Sequence, residues 1–159
     1  MTTGLDHDLA ALRDDFAVRE LLHRYAFALD EQDMDLIASC FTPDVRAEYS
    51  GHALTGGVQG IVGLLRGAGS FDKTMHHVGT IVVRLDGDRA EARSYTIAYL
   101  VGQEDGEPYL LTRGVRYLDL MRKAEDGWKI YDRVHAVDWS SKVPATLAPA
   151  LPPEFVVAP

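Results

Sequence analysis

The stretch Leu22-His23-Arg24-Tyr25-Ala26-Phe27-Ala28-Leu29-Asp30-Glu31-Gln32-Asp33 decides how the chain is read. It is apolar along one helical face, yet it carries a tyrosine and ends on an acid that the apolar run takes toward the interior. Tyrosine hydroxyls and carboxylates are costly to bury unless they are paired. Tyr25 and Asp30 are five positions apart, about 140° around a helix of 3.6 residues per turn, so one uninterrupted helix cannot point both into one pocket. Asp30 is therefore expected at the helix end and Tyr25 in its body. A histidine at the start of a later strand would complete a proton-transfer site.

Upstream, Leu5, Leu9, Leu12 and Phe16 step by four, three and four, and Val18, Leu21, Leu22, Tyr25, Ala26 and Leu29 resume the pattern. This predicts a long amphipathic helix with a break near Asp14-Asp15. Downstream, Asp33 is placed to cap a second helix from Met34 to Phe41, ended by Thr42-Pro43. Val45 to Tyr49 reads as a short strand, Gly51 to Gly57 as a loop, and Val58, Ile61, Val62 and Leu65 as a third helix closed by Gly67 and Gly69.

The period then changes to two. Met75 to Leu85 is β-branched and apolar, and Asp86-Gly87-Asp88 turns it into Arg89 to Val101. That strand alternates Ala90, Ala92, Ser94, Thr96 and Ala98 with larger residues, and a face of small side chains leaves room for a cavity. Further strands run from Tyr109 to Arg122 and from Trp128 to Trp139, separated by Glu125-Asp126-Gly127. Helices followed by an antiparallel meander predict one α+β domain over residues 1–139, a cone in which a curved sheet wraps around helices. The last twenty residues hold five of the seven prolines, so 140–159 is expected to be an extended tail, with Leu151, Phe155, Val156 and Val157 free to cover the body or a neighbour.

Composition excludes several classes of function. Sixteen Lys+Arg against twenty-four Asp+Glu give a formal charge of -8 without a basic cluster, so neither nucleic acid nor an anionic membrane surface is an expected partner. No apolar run is long enough to cross a bilayer, and Met1-Thr2-Thr3-Gly4 leads into charged residues without a signal-like apolar core, so a cytoplasmic location is expected. Cys40 is the lone cysteine and lies among apolar neighbours, which fits a buried small hydrophobe. His23, His52 and His135 are scattered, no metal-ligand spacing occurs, and Gly56-Gly57 and Gly60 lack the setting of a phosphate loop.

The segments Tyr25 to Asp33, Phe41-Thr42-Pro43-Asp44-Val45, Met75-His76-His77-Val78-Gly79-Thr80, Leu85-Asp86-Gly87-Asp88-Arg89-Ala90 and Asp126-Gly127-Trp128-Lys129-Ile130 together resemble the SnoaL-like branch of the nuclear transport factor 2-like superfamily. Members include scytalone dehydratase, bile-acid 7α-dehydratase, hexachlorocyclohexane dehydrochlorinase, ketosteroid isomerase and polyketide cyclases, which use a conical pocket and no cofactor. The resemblance implies that Asp30 is the pocket aspartate and His76 the catalytic histidine, with His77 facing the other way. It implies a pocket role for Tyr25, for Tyr49 nineteen residues after Asp30, and for Arg133, which otherwise pairs with Asp132 or Asp119 on the sheet. Leu100 and Leu29 stand where scytalone dehydratase has a second histidine and a further tyrosine, which argues against scytalone as substrate.

Those residues suit proton abstraction. An imidazole titrates near neutral pH and a carboxylate can fix its tautomer, while tyrosine hydroxyls can donate to a carbonyl or a leaving hydroxyl. No nucleophile motif is present. The expectation is a cofactor-independent lyase or isomerase acting on a small hydrophobic cyclic molecule such as a polyketide, steroid or terpenoid, in a homo-oligomer formed through the outer face of the sheet. The alternative is a non-catalytic ligand-binding or assembly subunit resembling the small subunit of ring-hydroxylating dioxygenases.

Overall fold

A computed structural model describes residues 4–67 and 71–148. Three helices, α1 (Gly4–Asp30), α2 (Met34–Ser39) and α3 (Val58–Gly67), pack in the concavity of six strands, β1 (Phe41–Tyr49), β2 (His52–Leu54), β3 (Lys73–Asp86), β4 (Arg89–Glu104), β5 (Glu107–Ala124) and β6 (Gly127–Pro144). The sheet order is β2-β1-β6-β5-β4-β3, with every neighbouring pair antiparallel except β1 and β6. This is the α+β cone expected from the sequence, curved and left open between the edge strands β2 and β3.

The core forms where the inner stripe of α1 meets the sheet. Val18, Leu21, Leu22 and Tyr25 are buried with Ile37, Ile61, Met121 and Ile130, and Cys40 is buried among them. Each large apolar side chain so covered is worth roughly 1.5–3 kcal/mol. Asp33 caps α2 by accepting from the backbone N–H of Leu36 at 2.9 Å.

Several boundaries differ from the sequence reading. α1 is unbroken at Asp14-Asp15, because neither side chain competes for its own backbone. Asp14 accepts from Trp128 Nε1 at 3.0 Å and from Lys123, while Asp15 holds Arg19, whose Nη1 donates to the Ile81 carbonyl at 3.0 Å. The acids anchor the helix to the sheet instead. Leu5, Leu9, Leu12 and Phe16 nevertheless remain exposed. α2 ends at Ser39, and Thr42-Pro43 lies inside β1, where the pairing with β6 slips between Phe41 and Arg46. Proline is tolerated there because the slipped segment makes no regular ladder bond.

Tyr49 and His52 pair across Ser50-Gly51, both at positive φ, so the expected loop begins as a two-residue hairpin. Gly57, at φ +60°, approaches β1 so closely that a Cβ would lie 2.2 Å from the Pro43 carbonyl oxygen. β6 continues through Pro144 against Tyr109, taking the first residues of the expected tail into the sheet. Gly69, Leu151, Phe155, Val156 and Val157 lie outside the described residues.

Bulges set which residues of β6 look inward. Met121 pairs with Ile130 but Leu120 with Asp132, leaving Tyr131 as the extra residue. Before it Trp128 and Ile130 are buried; after it the inward positions are Arg133, His135 and Val137.

Candidate active site

The small residues of β4 divide: Ala90 and Ala92 lie in the packed core, Ser94 and Thr96 border a water-sized space, and Ala98 faces a larger one. A cavity of about 580 Å³ lies between α1, α3 and the sheet, lined by apolar side chains such as Leu29, Leu65, Phe71, Leu100 and Val115 and by Tyr25, Tyr49, Tyr117, His76, Arg113 and His135. Its size suits a small organic molecule. A second space of about 10 Å³, room for one water at most, sits behind it beside Tyr25, Ser94, Thr96 and Arg133.

His76 enters from the head of β3, inward by strand alternation, while His77 is exposed. Asp30 is the last residue of α1, as the angular argument required. Its Oδ1 is 2.6 Å from His76 Nδ1, and its Oδ2 accepts from the His76 backbone N–H at 2.8 Å. A carboxylate can only accept, so Nδ1 carries the proton. The other ring nitrogen, Nε2, is left as the basic atom. Both side chains are largely shielded, at 12% and 22% exposed for His76 and Asp30.

Tyr49 comes from β1, on the other side of the sheet, and its hydroxyl lies 3.1 Å from that of Tyr25. Two hydroxyls in one mutual hydrogen bond retain one hydrogen for a third group. Burial, reinforced by Tyr49 and Tyr117, pushes the Tyr25 hydroxyl well above its ordinary pKa, so it stays protonated. Tyr117 is likewise pushed up by burial.

Arg133 takes the sheet alternative. Its guanidinium is bidentate with Asp119, at 2.6 and 2.8 Å, and both side chains are 1% exposed. It lies 4.2 Å from the Tyr25 ring centroid, 4.5 Å from that of Tyr117 and 5.1 Å from that of Phe41. Burial opposes its charge, and Asp119 more than offsets that, holding its pKa above the ordinary value. Arg133 thus stands behind the tyrosines, with Nη1 buried and unpartnered beside the smaller space. Asp132 pairs with Arg46 instead.

Sequence reasoning passed over His135 and did not name Arg113 or Thr74. His135 stacks on Tyr49 with ring centroids 4.7 Å apart and meets Tyr117 at 5.3 Å. Burial first, then the charge of Arg133, brings its pKa down from 6.5 to about 4, with Arg113 and His76 adding to the effect. It is neutral at physiological pH. Its parity with Arg133, two residues away on one strand, was the available signal. Of the sheet aromatics, Tyr117 turns inward while Tyr95 and Trp139 turn outward, about half exposed. Among the described residues no three His, Cys, Asp or Glu side chains are placed to hold a metal ion, and no helix is long and apolar enough to cross a membrane.

A hollow cone with an oriented imidazole on one wall and a tyrosine pair on another is equipped to take a proton from carbon and polarise an oxygen. A family model described as a SnoaL-like domain matches residues 10–134. Among solved structures, a candidate aromatic ring hydroxylase from Novosphingobium aromaticivorans is 27% identical, covering 83% of this chain and 94% of its own at a TM-score of 0.73. A candidate scytalone dehydratase from the same organism is 21% identical, covering 96% and 99% at 0.70. A hexachlorocyclohexane dehydrochlorinase from Novosphingobium barchaimii is 15% identical, covering 92% and 99% at 0.73. No curated protein matches the chain by sequence.

Proposed function

The chain belongs to the SnoaL-like domain family, whose nuclear transport factor 2-like cone it adopts, and from this premise we propose that it is a cofactor-independent lyase or isomerase. The observation that carries the reading is the Asp30–His76 contact at the wall of an open cavity. His76 Nε2 takes a proton from an acidic C–H of a small apolar cyclic substrate, a polyketide, steroid or terpenoid. Asp30 holds the tautomer and stabilises the imidazolium that forms. The free hydroxyl hydrogen of the Tyr25–Tyr49 pair donates to the oxygen on which charge develops, or to the departing hydroxyl. Double-bond migration or elimination follows from the same first step.

The names carried by similar structures, a dehydrochlorinase and a candidate dehydratase, agree with this class of chemistry. The second reading is an assembly or binding subunit of a ring-hydroxylating system; the 27% identical structure is named as a candidate aromatic ring hydroxylase, without a subunit role. Such a subunit has no use for an oriented imidazole facing its cavity. The test is native mass spectrometry of the protein offered a panel of cyclic ketones and alcohols, followed by product analysis. A bound compound converted by the wild type but not by His76→Ala supports the enzyme; a bound compound that neither protein alters supports the binding subunit.

The reading extends to a cytoplasmic homo-oligomer. Val82, Tyr95, Leu118 and Trp139 expose large apolar surface on the outer face of the sheet, an apolar patch of the kind copies of a chain cover in one another.

A further inference from the structure

We infer that the molecule this cavity takes carries a carboxylate, held by Arg113, so that the substrate is an apolar cyclic acid. The inference rests on the cavity being the substrate site and adds the chemical class of what fills it.

Of the arginines that are not exposed, Arg19 is bound to Asp15 and Arg133 to Asp119. Arg113, half-buried in the cavity wall, has no carboxylate partner among the described residues. A guanidinium withdrawn from water without an anion is costly. The chain has twenty-four acids to sixteen basic residues, so anionic partners are plentiful, yet among the described residues no side chain lining this cavity is a carboxylate. Asp30 stands behind His76 and is taken up by it. The anion is therefore expected from the ligand.

Two further groups await partners in the same wall. Thr74 Oγ1 and His135 Nδ1 are buried without a hydrogen bond, and both residues line the cavity. Register fixes where the acid would sit. His76 on β3 pairs with Ala98 on β4, and Ala98 with Arg113 on β5. Only the methyl group of Ala98 separates the two larger side chains. Their backbones are two strand spacings apart, roughly 10 Å, about the span of one ring and its substituents. A carboxylate on Arg113 thus places a carbon about one ring away over His76. Arg66 also lines the cavity but is exposed at the end of α3, so Arg113 is the half-buried guanidinium of the sheet wall, and one such fork matches a planar carboxylate better than a phosphate.

The test is calorimetric binding, at low ionic strength and pH 7.5, of 2-naphthoic acid and of 2-naphthalenemethanol, which share a ring body and differ in charge. The wild type should bind the acid at least tenfold more tightly than the alcohol. Arg113→Gln should close that gap, Arg113→Lys should keep part of it, and Arg84→Gln, exposed on the outer face of β3, should leave it intact. Leu100→Trp, which fills the cavity, should abolish binding of both. Equal affinities in the wild type, or a gap that survives Arg113→Gln, overturn the carboxylate assignment alone. Failure of both probes to bind, or binding that survives Leu100→Trp, overturns the cavity as the substrate site and this inference with it.

Discussion

Asp30 meets His76 twice, accepting from the backbone N–H with one oxygen and from ring Nδ1 with the other. One carboxylate thereby fixes both the strand that carries the imidazole and the imidazole itself. The helix end and the strand head form one unit because α1 stops at Asp30. Asp30→Asn keeps the shape and lets the amide NH2 donate to Nδ1. Long-range ¹H–¹⁵N spectra of the His76 ring should show Nδ1 protonated in the wild type and the Nε2–H tautomer in the variant, and proton-transfer activity should fall by about 10²- to 10⁴-fold.

The buried Arg133–Asp119 pair should be expensive to break and cheap to replace. Asp119→Ala leaves a guanidinium uncompensated among aromatic rings, at a cost of about 3–5 kcal/mol in urea denaturation. Joint replacement with Asp119→Leu and Arg133→Met should cost clearly less than Asp119→Ala alone.

His135 gives the fold an acid-sensitive step. The unfolded chain binds this proton near pH 6.5, whereas the folded protein resists it until about 4, through burial and the charges of Arg133, Arg113 and His76. Between those values the unfolded state binds more protons, so stability falls as pH drops from 6.5 toward 4. The full difference is about 3 kcal/mol. His135→Gln should remove it, seen as a shallower loss of the denaturation midpoint across that range.

Trp139 lies over Gly114 on the outer face, where a Cβ on the glycine would meet its ring at 2.2 Å, and it remains half exposed. If copies of the chain associate through this face, light scattering should find an oligomer for the wild type and a monomer for Trp139→Glu. Circular dichroism should be unchanged.

What could be read in the sequence was what depends on local period. The end of α1 at Asp30 followed from an angle and the facing of His76 and His77 from alternation, whereas of the small residues of β4 only Ala98 lines the cavity and Ala90 and Ala92 are packed in the core. Periodicity says which residues share a face, not what covers it, so Leu5, Leu9, Leu12 and Phe16 mark an amphipathic helix although they lie exposed. How Arg133 and His135, which share a face, are turned relative to Trp128 and to Trp139 was hidden for another reason. Bulges at Tyr131 and Asp138 shift the parity of β6 twice, and a bulge is a property of the pairing, invisible in one strand alone. Arg113 escaped because its significance is a missing partner, which only the packed structure reveals.

The central claim is that His76 takes a proton from carbon. Its most direct test is deuterium uptake in D2O, followed by mass spectrometry, into a cyclic ketone found to bind the wild-type cavity. Uptake at the acidic carbon by the wild type, lost in His76→Ala while the compound still binds, is the predicted result. Uptake by His76→Ala at the wild-type rate would contradict it.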